Sequence, residues 1–129
     1  MATGGHYFTI PGLIANGTTL AAKQYYIVQH ASTAGQCKLA TSATSKILGV
    51  LQNDPAAGEA CEVAAPGGVF KVMCEASVSL GDRLTASSTG RAKTSSTSGN
   101  VLIGQALEAY STAAGIIMCG PISCNGTVA

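Results

Sequence analysis

The side chains that could act as nucleophiles or metal ligands are few and lie scattered along the chain. Its thiols and imidazoles belong to five cysteines and two histidines, Cys37, Cys61, Cys74, Cys119, Cys124, His6 and His30. No two cysteines have the Cys-x-x-Cys spacing of a structural zinc site, and neither histidine lies near a cysteine in sequence. We therefore expect no metal site. The cysteines are expected to be small buried apolar side chains in a reduced compartment.

Hydrolytic and nucleotide chemistry also lack a sequence signature. A nucleophilic serine or cysteine needs a histidine that a carboxylate orients, and no Gly-x-Ser-x-Gly sequence occurs. The six carboxylates are dispersed, and Asp54 and Asp82 stand in turn sequences. The glycines form neither a Gly-x-Gly-x-x-Gly nor a Walker sequence. The sequence predicts that the protein is not an enzyme and has no cofactor.

Lys71 suggests one chemical alternative, a biotin- or lipoyl-carrying domain. Such domains are small duplicated β barrels that present a modified lysine at the tip of a hairpin. The predicted tip here is Gly67-Gly68, which leaves Lys71 inside a strand, and the flanking Met-Lys-Met sequence is absent. A carrier domain is therefore the weaker interpretation.

The composition of the chain favours an assembled structural protein. The 129 residues form one domain, and the net charge of +1 indicates neither a nucleic-acid nor a membrane partner. Charged residues are only 10%, and nearly half of the chain is Ala, Gly, Ser or Thr. No apolar run approaches the roughly 20 residues of a membrane span. The first residues lack a signal-peptide pattern, so we expect a protein that is made and kept inside the cell.

Apolar residues recur with a period near two in short runs rich in Val and Ile, which predicts an all-β fold. The predicted strands are residues 25–30, 37–40, 46–52, 60–65, 69–76, 83–86, 101–109 and 116–120. Residues 87–100, rich in Ser, Thr and Gly, are predicted to form a loop.

An internal duplication runs through this pattern. Residues 31–39 resemble residues 76–84, and Ile-Leu-Gly-Val at 47–50 resembles Leu-Ile-Gly-Gln at 102–105. Each half reads as strand, Gly turn, strand, Ser/Thr loop, strand containing Gly, Ala-Ala-Gly turn, strand. We expect the two units to close into a single compact antiparallel β-barrel or sandwich, which protects the sheet edges.

The link between the two halves predicts a hairpin. With Gly67-Gly68 as the central residues, the apolar side chains of both strands fall on one face, and Cys61 lies opposite Cys74. We expect these two thiols to be reduced neighbours that an oxidising medium could bridge. A wider loop remains an alternative, because Pro66 cannot donate the hydrogen bond that closes a two-residue turn.

Residues 1–24 stand outside the duplication and are predicted to form an extended N-terminal arm. The predicted domain boundaries are therefore 1–24 for the arm, 25–122 for the duplicated β domain and 123–129 for a C-terminal tail. The arm carries apolar side chains that need a groove to bury them, Tyr7, Phe8, Ile10, Leu13 and Ile14. A neighbouring subunit would supply that groove, or the arm folds back as a strand on its own barrel.

Five stretches of the sequence, in this order, carry a resemblance to a known family. They are Ile-Leu-Gly-Val at 47–50, Asn-Asp-Pro-Ala-Ala-Gly-Glu-Ala-Cys-Glu-Val at 53–63, Gly-Gly-Val at 67–69, Leu-Gly-Asp-Arg-Leu at 80–84 and Ile-Gly-Gln-Ala-Leu-Glu-Ala at 103–109. Over about residues 25–120 the chain resembles the capsid decoration, or cement, proteins of tailed bacteriophages. The arm, the cysteines and the C-terminal tail depart from that pattern.

The resemblance implies a tulip- or jelly-roll-like β fold and a structural role in the virion. It implies a homotrimer on the outer surface of the icosahedral head, bound to the major capsid protein and clamping adjacent capsomers after the shell expands. The five apolar arm residues would then contact the capsid or a neighbouring cement subunit. Another structural oligomer, such as a tail or fibre module, is the alternative.

Overall fold

The computed structural model describes residues 6–17, 20–95, 97–110 and 115–121 of the chain. The predicted all-β class is confirmed, since the described residues form strands and no helix. The strands are β1 (Ile14–Ala15), β2 (Ile27–His30), β3 (Gln36–Leu39), β4 (Ile47–Leu51), β5 (Val63–Ala64), β6 (Phe70–Met73), β7 (Arg83–Ala86), β8 (Ala92–Thr94), β9 (Leu102–Ala106) and β10 (Ile116–Gly120).

The strands form two five-stranded sheets, with the orders β1-β3-β2-β4-β5 and β6-β10-β9-β7-β8. All neighbours are antiparallel except β1 and β3, which are parallel. On its other side β1 meets the residues that precede β5, through a bridge between Ile14 and Ala60. The first sheet therefore curls into a partial barrel, and β1 lies between its two ends.

The first sheet is buried on both faces, because successive side chains of its strands enter two different apolar clusters. One cluster combines residues of both sheets, including Ile27 and Val50 of the first and Phe70 of the second. The other fills the partial barrel and includes Val28 and Leu51. Each fully buried side chain of this size contributes about 1.5–3 kcal/mol. This two-sided burial explains why both alternating positions of β2 and β4 are apolar.

The duplication has a counterpart in strand pairing. The order strand, Gly turn, strand, Ser/Thr loop and Gly-containing strand occurs as β2-β3-β4 and again as β7-β8-β9. In both units the register shifts after a glycine. Val28 faces Gly49 before the shift between β2 and β4, and Leu84 faces Gly104 before the shift between β7 and β9. The two units therefore share order and register.

One part of the proposed repeat alignment is wrong. Matching residues 31–39 with 76–84 equates Leu39 of β3 with Leu84 of β7, but β7 occupies the place that β2 has in the first unit. The equivalent turns contain Gly35 and Gly90, rather than Gly35 and Gly81. A glycine turn followed by a basic residue and Leu is a local signature that many hairpins share, so it does not identify the equivalent strand.

The predicted hairpin at Gly67-Gly68 is also wrong. β5 pairs with β4 in the first sheet, whereas β6 pairs with β10 in the second. The N-terminal segment takes the pairing positions on both sides of the turn, with bridges from Thr9 to Ala64 and from His6 to Val69. Sequence alternation specifies which face a side chain occupies, but it does not specify which strand lies next to it.

The predicted loop at residues 87–100 contains a short strand, β8, which pairs with β7. Its first residue, Ala92, is fully buried in the cluster between the sheets. A strand of three residues is too short to show the alternation of apolar and polar residues by which strands are predicted. The sequence therefore contains no signal for β8.

Candidate interaction surface at the N-terminal segment

Residues 6–17, here called the N-terminal segment, lie against the chain's own β domain. The Ile10 amide donates to the Val63 carbonyl at 3.0 Å, and the Ala65 amide donates to the Phe8 carbonyl at 2.9 Å. These contacts correspond to the fold-back alternative for the described part of the predicted arm. Residues 1–5, 18 and 19 of the predicted arm and the predicted tail at 123–129 lie outside the described residues, and the domain boundaries at residues 24 and 122 stay predictions.

The five apolar residues predicted to make contacts fall into two groups. Leu13 is 8% exposed and Ile10 is half-buried, and both pack in or against the cluster inside the partial barrel. Tyr7 is half-buried against the cluster between the sheets. Phe8, by contrast, is 86% exposed and Ile14 is 41% exposed. The structure therefore gives three of these side chains an internal partner and leaves two facing solvent.

A hydrogen bond between Tyr7 and Glu62 fixes the position of the segment. The Tyr7 hydroxyl donates to Glu62 Oε2. This hydrogen bond, with burial as the second cause, raises the pKa of Tyr7 to about 12. The neutral phenol that the hydrogen bond requires is therefore retained far above neutral pH.

Gly68 allows the segment to approach closely. A Cβ atom at this position would lie 2.8 Å from the His6 carbonyl oxygen and 2.8 Å from Tyr7 Cα. Any larger residue would push the segment away from the turn. The sequence predicted a hairpin turn at this glycine. In the structure its lack of a side chain allows residues 6 and 7 to pack against it.

Two open grooves lie along the N-terminal segment, and Phe8 lines one of them. One is lined by residues 6–8 together with Gly67 and Gly68, and the other by residues 9–14 together with residues 60–62. Phe8 and Ile14, with these two grooves, form what we call the N-terminal face. An exposed aromatic side chain on backbone that is hydrogen-bonded in place is typical of a protein contact site.

Other large apolar side chains are exposed on the second sheet and its turns, and the sequence did not predict them as contact residues. Leu80, in the turn before β7, is 71% exposed, and Leu107, Tyr110 and Ile116 are partly exposed. The position of Leu80 beside Gly81 is the signal that could have found it, because a turn leaves little room for burial. Exposed apolar residues are common on protein surfaces, so these carry less weight than the N-terminal face.

Among the described residues, no group of three or more His, Cys, Asp or Glu side chains is placed to hold a metal ion. Lys71 lies inside β6, with its ammonium 5.8 Å from the centre of the Tyr25 ring. No helix among the described residues has the length and apolar character to cross a membrane.

Comparison with known proteins identifies the family of this chain. A family model described as phage cement protein matches residues 9–120. The chain belongs to the phage cement protein family. Membership implies a structural protein of the virion that binds the phage capsid, and it implies a role other than catalysis. No curated protein matches the sequence significantly.

Among solved structures, this cement protein is similar to the N base of the head fiber gp8.5 of bacteriophage phi29. The two share 17% sequence identity with a TM-score of 0.59, and the match covers 97% of this chain and 94% of the other. At this identity the similarity establishes a shared fold over nearly the full length of both chains.

Proposed function

We propose that this cement protein binds the outer surface of an icosahedral phage head as a homotrimer and stabilises the expanded capsid by clamping adjacent capsomers. The observation that carries the proposal is the 86% exposure of Phe8 on a segment held by backbone hydrogen bonds. A phenyl ring in this position loses little conformational entropy when a partner covers it, because its backbone is already ordered.

The proposal assigns direct contact to Phe8 and Ile14. Tyr7, Ile10 and Leu13 act by holding the segment, since each already packs on the chain's own clusters. The contacted surface is the major capsid protein or a neighbouring cement subunit, and the two grooves along the N-terminal segment receive side chains of that surface.

Weak contacts are sufficient for such a clamp if the protein is a trimer. Three linked copies engage three shell surfaces, so that after one copy binds, the other two bind at a high effective concentration. Ala, Ser, Thr and Gly, which make up nearly half of the chain, lose little side-chain entropy on burial. A protein that binds only the expanded shell then stabilises it by mass action.

A fibre module is the second candidate, and the similarity to the phi29 head fiber base favours it. In that case the chain would anchor further protein to the head and would add no stability to the shell. A gain in the heat resistance of the head therefore separates the two functions.

The test has two measurements. Analytical ultracentrifugation of the purified protein should give three times the chain mass of 12.8 kDa. Expanded, undecorated heads mixed with the protein should bind it and resist a higher temperature before they release DNA. Binding without a gain in heat resistance would favour the fibre module, and a monomer that does not bind heads would contradict both functions.

Phe8→Ser tests the contact surface, with Leu80→Ser as the matched control. Both residues are large, apolar and highly exposed, at 86% and 71%, so neither change should alter the stability of the free protein. Burial of a phenyl ring contributes about 1.5–3 kcal/mol, so Phe8→Ser should weaken binding to heads by roughly 10- to 150-fold. Leu80→Ser should change it by less than about 2-fold, within the range of a neutral surface substitution. Equal loss in both variants would contradict a contact at the N-terminal face.

A further inference from the structure

Two thiols meet inside the partial barrel. Cys37 lies in β3 and Cys61 lies two residues before β5, 24 positions apart in sequence. The Cys37 thiol donates to the Cys61 sulfur at 3.3 Å, and both residues are buried. A disulfide bond is about 2.05 Å long, so the two sulfurs need to approach by only about 1.2 Å, which small rotations of the side chains supply.

The two cysteines belong to the two elements that hold β1. The Asn16 amide donates to the Cys37 carbonyl at 2.9 Å, and the Cys61 amide donates to the Leu13 carbonyl at 2.9 Å. Ala15, between them in β1, has a side chain small enough to let the sulfurs meet beside it. A bond between the sulfurs would therefore link the two elements between which β1 lies, β3 and the residues that precede β5.

Cys61 is the less buried of the two cysteines, at 9% exposure. Cys61 lines the open groove formed with residues 9–14, whereas Cys37 lies at 0% exposure behind it. Burial, with the hydrogen bond to Cys61 as the second cause, raises the pKa of Cys37 to about 12. Burial also raises the pKa of Cys61, but the hydrogen bond from Cys37 acts in the opposite direction. Cys61, which lines the groove, is therefore the thiol that an oxidant entering it meets first.

We propose that Cys37 and Cys61 form a latent cross-link site, which a small peroxide entering the groove converts into a disulfide that locks the barrel around β1. The Cys61 thiolate attacks hydrogen peroxide, the O–O bond breaks, and Cys61 becomes a sulfenic acid with release of hydroxide. Cys37 then attacks the Cys61 sulfur, the S–O bond breaks, and the hydroxyl leaves with the Cys37 proton as water. In total two thiols are oxidised to one disulfide, and one peroxide is reduced to two waters.

The cross-link would stabilise the folded protein, because it closes a loop between residues 37 and 61 and so lowers the conformational entropy of the unfolded chain. For a loop of this length we expect the temperature of half-unfolding to rise by about 10–15 °C. This inference concerns the β domain alone and does not depend on the proposed capsid role.

Peptide mapping tests the proposal on the intact protein. Reduced protein is treated with hydrogen peroxide, blocked with an alkylating agent and digested with trypsin, which places Cys37 in peptide 24–38, Cys61 in peptide 47–71 and Cys74 in peptide 72–83. We expect a species equal to peptides 24–38 and 47–71 joined with the loss of two hydrogen atoms. A link between 47–71 and 72–83, or no link while the protein stays folded, would overturn the proposal.

Single substitutions check the thermal effect. In Cys37→Ser and Cys61→Ser the peroxide-dependent rise in half-unfolding temperature should disappear. In the matched control Cys124→Ser, which also excludes cross-links between molecules through that residue, the rise should persist. If the cysteine variants of the barrel fold poorly, the mapping of the unsubstituted protein still decides the question. A rise that persists in Cys61→Ser would contradict the assigned pair.

Discussion

At the scale of residues, the contacts of Tyr7 show that a predicted contact side chain can have an internal role. Its hydroxyl donates to Glu62, and its ring packs against the cluster between the sheets. Phe8, one position later, has no such partner and is exposed. Adjacent residues of an extended segment point to opposite sides, so one anchors the segment and the next is presented to a partner.

Tyr7→Phe tests the anchor. Because the pKa of Tyr7 is raised to about 12 in the folded protein, above its unfolded value of about 10, the hydrogen bond stabilises the fold fully below pH 10. That contribution is lost as the pH rises through about 12. We expect the variant to be slightly less stable at neutral pH, by about 0.5–1.5 kcal/mol. In a titration of phenolate absorbance it should lack a component near pH 12, and a wild-type titration without that component would contradict the assignment.

At the scale of elements, β1 has a larger structural role than its two residues suggest. It lies between β3 and the residues before β5, and Leu13, Ala15 and Leu20 contribute to the cluster inside the partial barrel. The N-terminal segment is therefore part of the β domain's core in this chain. Deleting residues 1–20 would remove core side chains together with the contact surface, so point substitutions are the better test.

Leu13→Ala and Ile14→Ala form a matched pair for this role. Leu13 is 8% exposed and Ile14 is 41% exposed, and the two residues are adjacent and similar in size. We expect Leu13→Ala to lower the free energy of unfolding by about 2–4 kcal/mol and Ile14→Ala by less than about 1 kcal/mol. Denaturant unfolding measures both values. Equal and small effects would mean that the segment is not packed into the barrel in solution.

At the scale of the whole molecule, each of the two sheets has a glycine at the equivalent position, where the backbone of a neighbouring strand approaches closely. A Cβ atom at Gly49 would lie 2.1 Å from the Ala64 carbonyl oxygen, and one at Gly104 would lie 2.4 Å from the Gly120 carbonyl oxygen. In each sheet the glycine lets the next strand approach where the register shifts. The duplication is thus visible in close backbone contacts as well as in strand order.

Gly49→Ala and Gly104→Ala should therefore have matched effects. Both place a methyl group against backbone, which the strands can accommodate only by moving apart, and we expect a loss of about 3 kcal/mol or more in the free energy of unfolding. Gly58→Ala is the control, since it has open space around it but a φ of +79°, and should cost about 1–2 kcal/mol through backbone strain alone. A mild effect at only one of the two strand glycines would contradict their equivalence.

The sequence predicted much of the fold and little of the site's geometry. Alternation and turn residues indicated eight of the strands, and the repeated Gly-containing strand identified β4 and β9 as equivalent. It did not list β1 among the strands and it missed β8, because a strand of two or three residues is too short to show a period. It also named the five apolar residues of the N-terminal segment without separating the exposed pair from the buried ones, since an isolated segment has no neighbour that defines an inside.

The sequence by itself determined the all-β class, the equivalence of the two Gly-containing strands and the relation to phage cement proteins, because period, turn chemistry and motif order are local properties of the chain. Only the tertiary structure decided that β5 and β6 enter different sheets, that the N-terminal segment lies between them, and that Cys61 meets Cys37 rather than Cys74. The physical reason is that period two records which face a residue occupies. The neighbour across that face depends on which distant strands compete for the same hydrogen-bonding edge.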